Sequence, residues 1–179
     1  MLSAWESSPL PAGFLHLSCL LSADGEVVLT YSQWSSEEAH FAFLVPALRD
    51  PRDPRVSGVE PVRYRLYRSM RDEQQTDTPR CVITATFDVD GPERQRHIVD
   101  RLVDAAAAIG SLPGALSSHF HISTDGTRVL NYAEWTSIED HDRAAEHAEL
   151  DELYEISTQT RGVRSTRGRL YHLYGGLGR

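Results

Sequence analysis

The sequence predicts an α+β protein made of two ferredoxin-like repeats, each a split βαβ unit, packed sheet to sheet as an intramolecular pseudo-dimer. Three observations carry this. Residues 13–40 and 114–141 match at a constant offset of 101, through Gly13/Gly114, Asp24/Asp125, Gly25/Gly126, Tyr31/Tyr132, Trp34/Trp135 and His40/His141. A second block, VRYRLY at 62–67 against TRGRLY at 166–171, matches at an offset of 104. The later copy also reads strand, helix, strand, strand, helix, strand, the order of a split βαβ unit. The expected division is a first repeat over 1–71, a linker over 72–79 and a second repeat over 80–179.

In the second repeat, residues 81–89 are apolar and rich in β-branched side chains, which predicts a strand. Asp90-Gly91-Pro92-Glu93 predicts a helix start, with Asp90 as capping acceptor, proline in the first turn and Glu93 three residues on. Ile98, Leu102, Ala105, Ala106 and Ile109 then recur at helical spacing until Leu112-Pro113-Gly114 ends the run. Residues 115–123 and 127–135 predict two strands around a two-residue Asp125-Gly126 turn. Thr136 opens a second helix with Glu139 three residues on, and residues 166–174 form the last strand.

The first repeat is shorter. Leu2 to Trp5 align with the end of the first helix, so this copy is expected to lack its first strand and most of that helix, which leaves one sheet edge open. Its second helix opens at Ser35 with Glu38 and is expected to be brief, because Pro46 and the loop from Pro51 to Pro54 interrupt it.

Composition narrows the chemistry. All 18 basic residues of the 179-residue chain are arginine, so Schiff-base, phosphate-loop and pyridoxal-phosphate lysines are excluded. A net charge of −8 argues against nonspecific binding to nucleic acid or to an anionic membrane. The longest apolar stretch, residues 14–21, is far shorter than the ~20 residues of a membrane helix. Cys19 and Cys81 have no zinc-ligand spacing and predict reduced thiols in a cytoplasmic protein. The acidic stretch 139–155 is expected to be a solvated helix face, with the arginines from Arg161 to Arg169 as its partners or as strand flanks.

With a two-residue turn, Phe120 lies opposite Asn131, and one face of the hairpin carries Leu116, Ser118, Phe120, Asn131, Ala133 and Trp135. Asparagine is depleted in strands, and an unpaired buried amide costs about 1–3 kcal/mol. Asn131 therefore reads either as an edge amide satisfied by backbone or water, or as the polar group of a pocket floored by Trp135. His119 and His121 point to the other face without a third ligand, so polar packing explains them better than a metal does.

Residues 116–141, LSSHFHISTDGTRVLNYAEWTSIEDH, resemble the antibiotic biosynthesis monooxygenase family, with most of the specificity in the STDGT turn and the NYAEW strand. The resemblance spans about 81–174 in the second copy and, more weakly, 13–67 in the first. It implies a dimeric α+β barrel and cofactor-independent oxygenation of polycyclic phenols or anthrones to quinones by O2, as in aromatic polyketide metabolism. It places the family's catalytic asparagine and tryptophan on Asn131 and Trp135, puts His141 where a tyrosine is usual, and matches the family's helical arginine to Asp151. In the first copy Thr30 takes the asparagine position, while Trp34 and His40 are kept. The site implied is Asn131, Trp135 and His141 as catalytic groups, with Phe120, Leu116, Trp34 and Thr30 lining the substrate. No metal or cofactor is implied, and the chain could self-associate. A non-catalytic binding or accessory protein of the same fold is the alternative, since loss of a strand, Thr30 for asparagine and the missing arginine all fit decay of activity. A haem site, known in relatives of this fold, finds only His147, at an unmatched spacing.

Overall fold

Strand-period alternation, broken at glycine turns, builds a sheet that is greasy on one face. In the computed structural model, which describes residues 9–49, 62–146, 150–166 and 168–178, these segments form eight strands and four helices. In chain order they are β1 (Phe14–Ser22), β2 (Val28–Trp34), α1 (Glu37–Leu48), β3 (Tyr64–Arg71), β4 (Cys81–Val89) and α2 (Pro92–Ile109). There follow β5 (Ala115–Ser123), β6 (Arg128–Trp135), α3 (Ile138–Glu146), α4 (Asp151–Gln159), β7 (Val163–Ser165) and β8 (Arg169–Gly178). The fold is α+β and ferredoxin-like, with antiparallel pairing. No described helix is long and apolar enough to cross a membrane.

The chain forms two compact units, Arg63–His172 and Met1–Val62 with Leu173–Arg179. In the larger unit the strand order is β8-β4-β6-β5-β3, with β7 also on β4. β3, which the repeat places in the first copy, pairs antiparallel with β5 from Tyr64↔Ser123 to Arg71↔Ser117. β4 and β6 pair from Cys81↔Trp135 to Asp88↔Arg128, which puts the odd-numbered residues of both strands on one face. That face holds the core: Phe87, Val89, Phe120 and Val129 pack with Ile98, Val99, Leu102 and Val103 of α2 and Ile156 of α4. Each fully buried aliphatic side chain contributes about 1.5–3 kcal/mol.

Gln95 of α2, 1% exposed, ties this helix to the β5–β6 turn. Its Nε2 donates to the Ser123 and Arg128 carbonyls at 3.1 and 2.7 Å. In the smaller unit β1 lies between β2 and β8, and Phe14, Leu17 and Cys19 are its buried cluster.

Several local expectations are corrected. The β5–β6 connection is not a two-residue turn: the ladder stops at Ile122↔Val129, the Gly126 N–H donates to Ser123 O at 3.1 Å, and Gly126 takes φ +80°. Ser123 Oγ accepts the Thr127 and Arg128 N–H groups at 3.2 and 2.8 Å, so the side chain completes what the short turn would have closed. The register itself runs as expected from Ile122 to Ser117 and then shifts at Leu116.

Helix α2 is capped at Gly91 rather than by Asp90, whose carboxylate instead accepts from Arg164 at 3.0 Å; it runs to Ile109, the last residue of the expected apolar run, with Gly110 as its C-cap ahead of Leu112-Pro113-Gly114. The caps of α1 and α3 fall one residue later than expected: Ser36 Oγ accepts the Ala39 N–H, and Ser137 Oγ accepts the Asp140 N–H, each at 3.1 Å. The second helix of the later copy is described as α3 and α4, and its last strand, expected over 166–174, is β8, preceded by the short strand β7, which the sequence does not predict. α1 runs through Pro46 for 12 residues, so that proline does not shorten it. Leu2 to Trp5, Pro51 to Pro54 and His147 lie outside the described residues.

Candidate active site

Over the middle of the helix-covered face of the larger unit, the side chains are less deeply buried than at its two ends, and Leu153 of α4 packs against the clusters at both. Cys81 and Trp135 are buried with Ala144 of α3 and Leu150, at one end of the strands. Phe87, Phe120 and Val129 are buried at the other end. Between them Ile83, Ala85, Ser118, Asn131 and Ala133 are each only half-buried. Ala85 sits directly opposite Asn131 on β4, and Ala133 directly opposite Ser118 on β5, so three of the groups around the amide carry no more than one heavy atom beyond Cβ. The sheet thus presents a low floor around a single carboxamide.

That carboxamide is held from one side. Ser118 Oγ donates to Asn131 Oδ1 at 2.8 Å, and among the described residues nothing accepts from the Asn131 amide nitrogen. Four residues along β6, Trp135 is 5% exposed, and no described acceptor takes its indole N–H. Trp135 meets the His141 ring edge to face, with centroids 5.2 Å apart. The His141 side chain is 14% exposed, and its Nδ1 lies 3.3 Å from Asp142 Oδ1. An imidazole, an indole N–H and a carboxamide N–H thus belong to one strand and the helix that follows it.

Phe120 and Leu116 are 4% and 6% exposed; Phe120 lies in the core under α2, and Leu116 marks the register shift of β5. Thr30 and Trp34 lie on β2 in the smaller unit, which has different chemistry. Thr30 is exposed. The Trp34 Nε1–H donates to Ser32 Oγ at 3.0 Å, and its ring packs on Phe14, His40 and Phe43 at 5.1–5.6 Å. At the equivalent positions the larger unit has Asn131 for Thr30, Ala133 for Ser32 and Ser118 for Leu17. Asp151, matched to the family's arginine, is exposed at the start of α4.

On the opposite face of β5 and β6, the two histidines differ. His119 Nδ1 lies 2.9 Å from Ser69 Oγ, and its Nε2 lies 4.0 Å from Glu134, which accepts from Ser117 at 2.6 Å. His121 is buried, and desolvation holds its pKa below the usual histidine value, with nearby His119 acting in the same direction. No described group of three or more His, Cys, Asp or Glu residues could hold a metal ion. Both cysteines are free and buried, and burial pushes the Cys81 thiol up to about 11, with Glu139 adding to the shift.

A separate open groove of about 550 Å³ lies at the start of α3, lined by Gln75, Thr78, Arg80, Gly114, Thr136 and Asp140 among others. It is polar and contains none of the sequence-predicted site residues. Asp140 is committed within it: it accepts from Thr136, Ser137 and Arg143, which holds its carboxyl below the usual carboxylate range.

No family model matches the chain. A stretch of 47 residues, 26% of the chain, is 47% identical to tetracenomycin F1 monooxygenase of Streptomyces glaucescens and spans 42% of that relative. A monooxygenase of Streptomyces coelicolor, solved with nanaomycin D, is 30% identical over 54% of this chain and 89% of its own; its TM-score is 0.39, so that likeness is one of sequence. The chain belongs to the antibiotic biosynthesis monooxygenase family. Its fold is that of an anthrone oxidase-like protein, superposed at TM-score 0.77 over 99% of this chain and 84% of that one at 13% identity.

Reasoning from sequence alone put Asn131 and Trp135 on one face but missed Ser118, Ala85 and Ala133 as its framing groups. Their signal was available: at offset 101 the serine changes sides of an opposed strand pair, Leu17↔Ser32 becoming Ser118↔Ala133.

Proposed function

We propose that the larger unit is a cofactor-independent monooxygenase or oxidase that converts a polycyclic phenol, anthrone or dihydroquinone to a quinone with O2, in aromatic polyketide metabolism. The observation that carries the reading is the Asn131 carboxamide: its oxygen is occupied by Ser118 and its N–H groups are without a described acceptor, on a half-buried floor of small residues beside the Trp135 indole.

Oxygen reacts slowly with closed-shell molecules, so the substrate itself must become the electron donor. Loss of a proton from the phenol or anthrone gives an anion that passes one electron to O2, leaving a substrate radical and superoxide. Their recombination forms a C–O bond, and the peroxide then loses water to leave the carbonyl. One oxygen atom enters the product and the other leaves as water, so the CH2 of an anthrone or the CH of a phenol becomes C=O with no external reductant; a dihydroquinone instead gives up two electrons and two protons to O2, leaving the quinone and hydrogen peroxide.

In this scheme the Asn131 N–H groups and the Trp135 N–H stabilise the developing oxyanion, and His141 takes up and returns the proton. A flat aromatic ligand suits a floor on which Ala85 and Ala133, the residues beside the amide, are small and only half-buried. The two relatives described above are monooxygenases, one named for tetracenomycin F1 and one solved with nanaomycin D, and both names fit this substrate class. The smaller unit, with Thr30 for asparagine and an indole N–H already bonded to Ser32, is read as a non-catalytic copy.

Oxygen uptake with a dihydroquinone or an anthrone tests the reading. Uptake should persist after dialysis against chelator and fall about 10²–10³-fold in Asn131→Ala, the size expected for an oxyanion donor. Turnover unchanged in both Asn131→Ala and Trp135→Phe would sink the assignment.

A further inference from the structure

We propose that Ser118 is a positioning residue that sets which end of the Asn131 carboxamide faces the substrate. The inference rests on the reading of Asn131 as an oxyanion donor. A carboxamide has one accepting and one donating end, and in a strand it can present either to the space above the sheet. The Ser118 hydroxyl lies at the accepting end, 2.8 Å from Oδ1, so the N–H groups are the end left for a ligand. With that bond removed, rotation about the terminal side-chain torsion is broad. The carbonyl, which repels an oxyanion, would then share the site with the donor.

The reach is built into the ladder. Ser118 faces Ala133 directly and Asn131 on the diagonal, where Phe120 is the opposed residue. A small side chain at Ala133 keeps the diagonal open. The same pair on β1 and β2 is Leu17↔Ser32. There Leu17 is 3% exposed and has no hydroxyl to offer, Thr30 replaces the amide, and the serine on the other strand instead takes the Trp34 N–H. The exchange does two things at once in the larger unit. It moves a hydroxyl next to the amide that needs orienting, and it removes one from the indole that needs to stay free.

Ser118→Ala, Ser118→Thr, Asn131→Ala and the double variant Ser118→Ala/Asn131→Ala are compared in the full chain by steady-state oxygen uptake with a dihydroquinone. Ser118→Ala should lower kcat about tenfold with KM changed less than twofold, because orientation of the donor counts most as charge develops. Ser118→Thr, which keeps a hydroxyl, should hold kcat within about threefold of the parent. The double variant should be no slower than Asn131→Ala alone, since Ser118 acts only through the amide. If Asn131→Ala is slow but Ser118→Ala matches the parent, or if the two losses multiply, the positioning role is overturned and the oxyanion reading stands. If Asn131→Ala itself is unaffected, that reading falls and takes the Ser118 role with it.

Discussion

The ring of Trp135 stands at 88° to that of His141, with centroids 5.2 Å apart. This contact joins the end of β6 to the first turn of α3, and it fixes the imidazole beside the indole rather than leaving it in solvent. Two roles are combined in His141, packing and proton transfer, and a substitution can separate them. His141→Phe keeps an aromatic ring against Trp135 and loses the proton carrier. It should reduce kcat by about 10²-fold, within the range for general acid–base catalysis, with a melting temperature close to that of the parent. Stopped-flow formation of the quinone chromophore, read alongside calorimetry, checks both halves.

Ala133→Ser places a hydroxyl two residues before Trp135, as Ser32 is placed before Trp34, where it accepts the indole N–H at 3.0 Å. With that donor occupied, the variant should lose about five- to tenfold in kcat, roughly one hydrogen bond of transition-state stabilisation. Ser32→Ala should leave turnover unchanged. Oxygen uptake on both variants distinguishes the two units, and a loss in Ser32→Ala would show that the smaller unit also turns over.

Buried His121 sets a pH dependence of stability. Its folded-state pKa lies below the unfolded value near 6.5 because burial disfavours the imidazolium. The neutral ring is therefore favoured in the folded protein. Stability is fully present above about pH 6.5 and is lost as pH falls toward the folded pKa, while the unfolded chain takes up a proton that the folded chain does not. His121→Gln should flatten the fall of melting temperature between pH 7 and pH 5, whatever its offset at pH 7. Differential scanning calorimetry across that window is the check; an unchanged slope would remove His121 as the cause.

Gly114 takes φ +84°, and a Cβ there would stand 2.6 Å from Asp140 Cβ and 2.7 Å from Thr136 Oγ1. Gly25 has a similar φ of +74° with nothing within 4 Å of such an atom. Gly25→Ala should cost only the left-handed backbone penalty, about 1 kcal/mol. Gly114→Ala should cost about 3 kcal/mol because it also displaces the start of α3. Urea unfolding of the two variants measures the difference.

Cys81 is 1% and Cys19 4% exposed, and burial raises both thiol pKa values. Native protein at pH 8 should react with a thiol reagent at much less than one equivalent per chain, and denatured protein at two. Rapid labelling of the native protein would contradict the packing described.

Sequence alone determined β4, β5 and β6, the phase of β5 against β6 and the common face of Asn131 and Trp135. Each of these is local: period-two alternation chooses the face, and the Asp125-Gly126 pair leaves few ways to reverse the chain. The helix ends were less legible, because several hydroxyls and carboxylates compete for each cap and the choice depends on what else they touch. Asp90 shows this: it has the right residue type for a cap and is occupied by Arg164, distant in sequence.

Tertiary structure decided three further things. β3 pairs with β5, a partner about 50 residues away that alternation cannot name. Asn131 lies on a half-buried floor of small residues, between the buried clusters at Phe87 and at Trp135 that the helices bring together. The amide also has a defined direction, since hydrogen bonds between neighbouring strands depend on diagonal distances that no single strand's pattern contains.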